Sequence, residues 1–238
     1  MSHREPERNN FTDNGSYPAP KAEQMLDFEL GYTFTNDSWL VGLNGYYMKY
    51  DNQFVQTGAL SDIGENLTTN IKDSYRAGLE LQAGVNATSW LTIEGNAALS
   101  TNKIKDFDEY IEDWDDWEGN PDAATYHCDG NGDGLRQFHS DNSTLAFSPS
   151  LITNVFFNFH YKGWLAVWHG NYVSRQYLDN TECEDRSLPE YAVANASLSY
   201  TLKPKKVIKE CIFGLNFNNI FNRHYAASGW VYSAVCES

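Results

Sequence analysis

The stretch Tyr75–Asn86, YRAGLELQAGVN, alternates between two kinds of side chain at every position. Its odd-numbered positions are apolar or aromatic, and its even-numbered positions are polar or glycine. A repeat of two residues is typical of a β-strand that has one apolar face, so we predict a strand over 71–87. No stretch longer than one helical turn shows the 3.6-residue repeat of an amphipathic helix, and the sequence therefore predicts an all-β fold.

Seven further segments carry the same alternation, which predicts an antiparallel meander of about eight long strands. Asparagine, serine and glycine dominate their polar face, as expected for a face that meets water. One segment, 163–176, is aromatic on both faces, so its orientation stays ambiguous at this point. The eight predicted strands are 25–35, 39–50, 71–87, 90–104, 149–161, 163–176, 190–202 and 207–219.

The connections between these strands alternate between short and long. A transmembrane β-barrel has short turns on its periplasmic side and long loops on its outer side. The pattern therefore predicts an outer-membrane barrel over 25–220, with 1–24 as a preceding loop or strand end and 221–238 as a further outer loop. The short turns are predicted at 36–37, 87–89, 161–163 and 203–206, and the outer loops at 52–70, 106–148 and 177–189.

Composition fits a barrel and excludes other classes. No apolar run approaches the 18 or more residues of a membrane helix, and mean hydropathy is −0.55. In a barrel only alternate residues face lipid, so low mean hydropathy is expected. Aromatic residues make up 15% of the chain and cluster near the short turns, as in an interfacial belt. The net charge of −15 argues against nucleic acid as a partner.

The cysteines and the N-terminus leave two questions open. Cys128, Cys183, Cys211 and Cys236 show no CxxC spacing, so disulfides are compatible with the sequence but three pairings exist. The first residues contain no apolar segment of a signal peptide. Because an outer-membrane protein must be exported, we expect the chain to be either soluble or a piece of a longer protein.

Three segments resemble motifs of the TonB-dependent outer-membrane receptors. Lys21–Tyr32, KAEQMLDFELGY, is similar to one of their barrel strands, and Tyr75–Gln82, YRAGLELQ, to a later one. Asn216–Tyr225, NFNNIFNRHY, is similar to a strand near the C-terminus of that family. The three occur in the family's order and spacing across nearly the whole chain.

The resemblance implies a fold larger than this chain. Such receptors form a barrel of about 22 strands around an N-terminal plug domain. We therefore expect a C-terminal part of the barrel, with the plug domain absent and the final strand missing. On the polar face, Gly31, Gly78 and Gly84 would leave room beside the plug or ease strand curvature. Glu29 and Glu80 are expected to be hydrogen-bonding lumen residues rather than catalytic acids.

The function that the resemblance implies is active transport across the cell outer membrane. The ligand would be an iron chelate, a corrinoid or an oligosaccharide, taken up with energy supplied through TonB. The expected partners are outer-membrane lipid, the plug domain, TonB and the ligand, and a surface lipoprotein is a further candidate. The chain contains no GxSxG, HExxH, Walker A or GxGxxG motif, so an enzyme is not expected.

Two alternatives remain open from the sequence. Eight strands can close into a small barrel of their own, which would serve adhesion or anchoring. The predominance of asparagine, serine and glycine on the polar face opposes it, because small barrels fill their interior with charged networks. The second alternative is a soluble β-rich binding domain, which the missing signal peptide favours and the aromatic belt opposes.

Ligand capture is predicted in the outer loops. Residues 106–122 hold nine Asp or Glu and no Lys or Arg, a pattern that is usually a solvated surface segment. Trp114 and Trp117 lie in this run and can either stack on a ligand or tuck the loop against the barrel. With Tyr126 and Tyr177 they form the predicted ligand-binding set. The acids favour a neutral, cationic or sugar-like ligand over an anionic one.

No cofactor is expected, with calcium in an outer loop as the open option, because Asp129, Asn131 and Asp133 match the first half of a calcium loop. The acid expected at the twelfth position is missing, since Ser140 stands there. Asp, Asn and Gly also favour plain turns, which is the alternative explanation of this segment. Zinc is a weaker candidate, because His127, Cys128 and His139 have no paired spacing on a defined element.

Overall fold

The computed structural model describes residues 1–11, 19–60, 65–117, 134–204, 209–231 and 234–235. Within them the chain is mostly strand, with two short 3-10 helices, Arg8–Phe11 and Glu184–Arg186. No helix in the described part is long and apolar enough to cross a membrane. In chain order the strands are β1 (Ser2–Arg4), β2 (Glu23–Thr35), β3 (Trp39–Leu60), β4 (Asn66–Thr88), β5 (Leu91–Lys105), β6 (Phe107–Asp113), β7 (Leu135–Ser140), β8 (Ser143–Thr144), β9 (Leu151–Tyr161), β10 (Trp164–Val173), β11 (Gln176–Tyr177), β12 (Ser187–Leu188), β13 (Tyr191–Leu202), β14 (Cys211–Phe217) and β15 (Ala234–Val235).

The main sheet is a meander of eight long strands, each paired antiparallel with its neighbours. Its order is β2-β3-β4-β5-β9-β10-β13-β14, with the short β1 beside β2 and β8 beside β5. The predicted number of long strands and their next-neighbour pairing are confirmed. Two smaller sheets, β11-β12 and β15-β6-β7, lie within the predicted outer loops.

Tight turns join the strands at one end of the sheet, as predicted. In the first turn the side-chain Oδ1 of Asn36 accepts hydrogen bonds from the backbone N–H groups of Ser38 and Trp39, at 2.9 and 2.8 Å. In the third, Lys162 and Gly163 both have positive φ, 43° and 87°, the geometry of a type I′ hairpin turn. The predicted turn at 203–206 lies partly outside the described residues, and β14 begins at Cys211 rather than at 207.

The segment 52–70, predicted as an outer loop, is mostly strand in the described residues. β3 contains 22 residues and β4 contains 23, and their pairing continues as far as Leu60 and Asn66. A membrane-crossing strand needs only about 9–11 residues, so the two strands extend well beyond one bilayer. The extension is stable because Val55 and Ile71 are buried there in a shared core with Ile104, Phe107 and Leu145.

The sheet is open, which contradicts the self-contained eight-stranded barrel. β14 ends the strand order, and in the described part of the chain it does not pair with β2. β2 is partly covered by β1, which pairs with Glu23, Gln24 and Met25. The rest of β2 and the outer side of β14 are edges in the described residues. Open edges expose unpaired backbone groups, so the sheet is not a closed barrel by itself.

The two faces of the sheet differ as the alternation predicted. Leu30, Leu79, Leu99 and Leu215 lie on the outward face and are each more than half exposed. A contiguous exposed apolar surface of this extent is typical of a lipid-facing wall. The structure also settles the orientation of β10: Trp168 pairs with Phe157 on the outward face, with ring centroids 5.5 Å apart. Leu165, Val167 and His169 therefore face the lumen.

A ladder of polar side chains crosses the lumen face. Asn154 Nδ2 donates to Asn96 Oδ1 at 3.1 Å, and His169 Nε2 donates to Asn154 Oδ1 at 3.0 Å. On the next rung Asn158 Nδ2 donates to Glu94 Oε2 at 2.8 Å. These side chains satisfy one another's hydrogen-bonding groups, so the lumen face of the sheet has a defined polar surface of its own.

Candidate ligand-capture site

Strands β6 and β7 form a hairpin on the outer side of the main sheet, within the predicted loop 106–148. Phe107, Glu109 and Ile111 alternate on one face of β6, and Phe138 of β7 is the cross-strand partner of Glu109. Phe107 and Ile111 are buried. At the hairpin's far end Arg136 Nε donates to Asp113 Oδ2 at 2.8 Å. The acidic run is therefore partly a packed strand rather than a solvated loop.

The segment 176–188 lies against this hairpin and contains the small β11-β12 sheet. A single guanidinium nitrogen joins the two: Arg186 Nη1 donates to Glu109 Oε1 at 3.0 Å and to Asp179 Oδ2 at 2.9 Å. Asp179 is buried, and its other oxygen accepts bonds from the backbone N–H and the hydroxyl of Thr181. The two outer segments predicted to capture ligand are thus in direct contact.

A second ion pair fixes the same segment to the main sheet. Lys103 Nζ, at the outer end of β5, lies 3.1 Å from Glu182 Oε2 and also donates to Thr144 Oγ1 at 2.9 Å. The same Glu182 oxygen accepts from the backbone N–H of Thr144 at 3.1 Å. Glu182 therefore links the 176–188 segment, β8 and β5.

A cavity of about 270 Å³ lies between the β6–β7 hairpin and the turn at 181–186. Phe107, Ile111 and Phe138 form an apolar part of its lining, and Glu109 and Arg186 form a charged part. Burial raises the pKa of Glu109 to about 7, even though the guanidinium of Arg186 favours the ionised form. The cavity is therefore lined by a carboxyl group that is only partly ionised at neutral pH.

His139 stands at the rim of this cavity between two carboxylates. Its Nδ1 lies 2.9 Å from Asp108 Oδ1 and its Nε2 lies 3.1 Å from Asp141 Oδ1. The hydrogen bonds to Asp108 and Asp141 raise the pKa of His139, and the same contact lowers the pKa of Asp108. Within the described ranges no group of three His, Cys, Asp or Glu is arranged to hold a metal ion.

The structure places some of the predicted site residues and leaves others untested. Trp114 and Trp117 follow β6 and are 61% and 54% exposed. Tyr177 lies in β11, and its carbonyl oxygen accepts from the backbone N–H of Phe147 at 2.9 Å. Residues that lie outside the described part are Tyr126, His127, Cys128, Asp129, Asn131 and Asp133. The calcium and zinc predictions rest on them and stay predictions.

Sequence reasoning missed Glu109, Asp179, Arg186 and Glu182. A signal for Glu109 was present, since Phe107, Glu109 and Ile111 alternate with polar residues inside the acidic run. Arg186 is the only basic residue in 177–189, which singles it out as a partner for nearby acids. Which acids it would meet depends on the docking of the two segments and not on any local pattern.

Comparison with known proteins now identifies the class. The profile of the family described as TonB dependent receptor-like, beta-barrel matches residues 4–220. The chain belongs to this family, and the resemblance drawn from its motifs is confirmed. No curated protein sequence matches the chain.

Solved structures of the same fold include several uptake receptors. The copper transporter OprC superposes with a TM-score of 0.62 at 16% identity, over 94% of this chain and 30% of its own. The ferric yersiniabactin uptake receptor FyuA from Yersinia pestis gives 0.60 at 15% identity, over 90% and 27%. The ferric-catecholate import receptor Fiu from E. coli gives 0.58 at 18% identity, over 95% and 28%. The chain therefore spans less than a third of these structures.

Proposed function

We propose that this chain is the barrel wall and part of the outer loops of an active transporter in the cell outer membrane. The outer segments capture a large ligand. The plug domain, carried by the rest of the receptor, gates its passage, and TonB, reached through the rest of the receptor, powers it. The observation that supports this most is the packed contact between the β6–β7 hairpin and the 176–188 segment above a lipid-facing sheet.

The chemistry of the outer segments narrows the ligand class. A surface that presents Trp114, Trp117 and several carboxylates suits stacking and hydrogen bonding with a polar ligand. An iron chelate, a corrinoid and an oligosaccharide all remain candidates. Excess acid favours a neutral, cationic or sugar-like ligand over an anionic one. A surface lipoprotein that closes over these segments is a further candidate partner.

Deletion of the hairpin tests the proposal. Replacing 108–140 by a short Gly-Ser linker in the full-length receptor should abolish uptake and leave the barrel folded, because loop closure is entropically forgiving. Uptake of radiolabelled ligand and heat-modifiable electrophoretic mobility measure the two properties separately. Full uptake by the deletion variant would overturn the proposal, since the ligand would then be held elsewhere.

A finer variant separates capture from loop docking. We expect the double substitution Trp114→Ala and Trp117→Ala to weaken ligand binding, because both side chains are more than half exposed and can stack on a ligand. Trp90→Ala is the matched control: Trp90 is 51% exposed but stands at the turn end, stacked on Phe159 at 6.1 Å. Equal binding by both variants would show that aromatic stacking in this segment does not hold the ligand.

A further inference from the structure

We infer that the cavity between the β6–β7 hairpin and the turn at 181–186 binds a protonated amine carried on a small apolar or aromatic body. This rests on the proposed function in one respect: the amine belongs to the ligand that the outer segments capture. Glu109 holds the ammonium group, and the apolar lining holds the body of the ligand.

The charges around Glu109 are unbalanced. Glu109 and Asp179 share one nitrogen of Arg186, so two carboxylates have a single guanidinium between them. The side chain of Glu109 is only 12% exposed, so water compensates it poorly. A buried carboxylate without a full counter-charge is destabilised until it gains a proton or a cation.

The other basic groups nearby are already bound to carboxylates. Arg136, the cross-strand partner of Ile111, pairs with Asp113. His139 at the rim lies between Asp108 and Asp141, and Lys103 pairs with Glu182. Among the described residues, Arg186 is thus the only cation within ion-pair distance of Glu109. A cation from solution can supply the missing charge.

The apolar lining decides what kind of cation fits. Phe107 and Ile111 line the same cavity from β6, and Phe138 lines it from β7. A hydrated metal ion gains nothing from such a lining, whereas an ammonium on a ring or short alkyl chain buries apolar surface and lies beside aromatic rings. A volume of about 270 Å³ holds one such group rather than a whole siderophore or oligosaccharide.

The titration of Glu109 gives the inference a pH signature. With a pKa of about 7, the carboxyl is mostly protonated in mild acid and mostly ionised at pH 8. An amine binds the ionised form, so its affinity should fall about tenfold per pH unit well below 7. His139, Cys183 and Asp179 are the other titratable groups that face this region. His139 gains positive charge in acid, which weakens amine binding in the same direction.

Benzylamine is the probe, and benzyl alcohol is its uncharged control of the same shape. Saturation-transfer NMR on the full-length receptor in micelles at pH 8 should show that benzylamine binds at least tenfold more tightly than benzyl alcohol. The variant Glu109→Gln should lose this preference. Glu184→Gln is the matched control, because Glu184 lies on the same turn, is exposed and does not line the cavity. It should keep the preference.

Hydrogen exchange supplies a second measurement. Benzylamine should increase protection over 177–189 at pH 8 in the native receptor and not in Glu109→Gln. Equal binding of the two probes to the native receptor, or an unchanged preference in a folded Glu109→Gln variant, overturns the inference. If deletion of 108–140 abolishes uptake while the native receptor binds benzylamine no better than benzyl alcohol, the proposed capture is supported and the amine site is refuted. If uptake survives that deletion while the native receptor does prefer benzylamine, the amine site is supported and the proposed capture is refuted.

Discussion

The side-chain amide of Asn180 joins β3, 124 residues earlier in the chain, to the segment after β8, 34 residues earlier. Its Nδ2 donates to the carbonyl oxygen of Gln56 at 2.7 Å, and its Oδ1 accepts from the backbone N–H of Ala146 at 2.8 Å. Asn180 itself has no exposed surface. One side chain therefore supplies a hydrogen-bond partner to a backbone group in the outer part of β3 and to one in the segment after β8.

Replacing Asn180 by alanine should loosen this junction. The buried N–H of Ala146 and the part-buried carbonyl of Gln56 lose their partner, and leaving a buried group unsatisfied costs about 1–3 kcal/mol. We expect faster hydrogen exchange at the amide of Ala146 and across 53–56 in the full-length receptor. Asn142→Ala is the control, because Asn142 is exposed. Unchanged exchange at Ala146 would contradict the role given to Asn180.

The core beneath the outer segments should be sensitive at Ile104, which is fully buried among Val55, Ile71, Phe107 and Leu145. Ile104→Ala removes buried methyl groups and leaves a cavity, a change that costs about 2–5 kcal/mol. We expect rapid cleavage of the outer segments in limited proteolysis. The control is Leu99→Ala on the exposed outward face of the same strand, which should leave the cleavage rate close to native.

Docking of the 176–188 segment should weaken as pH rises through 7. Burial raises the pKa of Glu109 to about 7 from an ordinary value of 4.5, so the docked state binds more protons than an undocked one. The stabilisation of the docked state by protonated Glu109 is fully present below about pH 4.5 and is lost as pH rises through 7. Protection over 177–189, corrected for intrinsic exchange, should be lower at pH 8 than at pH 5 by on the order of tenfold or more.

Glu109→Gln removes the ionisation and should make protection nearly independent of pH in this range. Glu184→Gln leaves Glu109 in place and should retain the native dependence. Protection that rises from pH 5 to pH 8 in the native receptor would show that the ion pair with Arg186, and not burial, dominates the energetics of Glu109.

Glycine positions on the lumen face should differ in their tolerance of a methyl group. A Cβ at Gly78 would stand 2.6 Å from the hydroxyl of Tyr46 and 2.7 Å from the backbone oxygen of Leu99. A Cβ at Gly84 would have its nearest neighbour, in the Glu94 side chain, at 3.7 Å. Gly78→Ala should therefore destabilise the refolded barrel by about 1–3 kcal/mol, and Gly84→Ala should stay within about 0.5 kcal/mol. Urea unfolding followed by electrophoretic mobility measures both, and equal stabilities would contradict the prediction.

The transmembrane part of the fold could be predicted because its cause is local. Alternation such as that of Tyr75–Asn86 follows directly from which residues face lipid and which face the lumen, so pattern alone assigns strand, face and pairing. The orientation of β10, which its own sequence leaves ambiguous, follows from one neighbouring strand. Trp168 is the cross-strand partner of Phe157, and because Phe157 faces outward, Trp168 does too. The same reasoning explains why the tight turns at one end were found.

The outer part could not be predicted, because its causes are not local. After Asp51 the alternation in β3 is interrupted by Asn52, which has a positive φ of 55°, and the following strand is held by pairing and by a core drawn from distant segments. Glu109 and Arg186 meet across 77 residues. A polar strand paired with another polar strand has the same composition as a solvated loop, which is why the strands within 52–70 were not predicted.

The described residues on either side of 118–133, the segment that carries Asp129, Asn131 and Asp133, are hydrogen-bonded to one another. The backbone N–H of Gly134 donates to Asp116 Oδ2 at 3.2 Å, and the N–H of Asp113 donates to the carbonyl of Gly134 at 2.9 Å. Since these hydrogen bonds hold the flanking residues together, calcium binding is best tested in the full-length receptor and not in a free peptide. The predicted ligands are carboxylate and amide oxygens, which would have to converge at roughly 2.3–2.6 Å from the ion.

We expect millimolar calcium to slow hydrogen exchange over 125–141, because binding to the native state alone stabilises it by mass action. The double variant Asp129→Asn and Asp133→Asn should lose this effect, since both predicted charged ligands are gone. Asp185→Asn, an exposed acid on the other outer segment, controls for general loss of charge and should respond like the native receptor. Equal exchange with and without calcium in the native receptor would leave DGNGDG as a sequence that favours turns through its Asn, Asp and Gly residues.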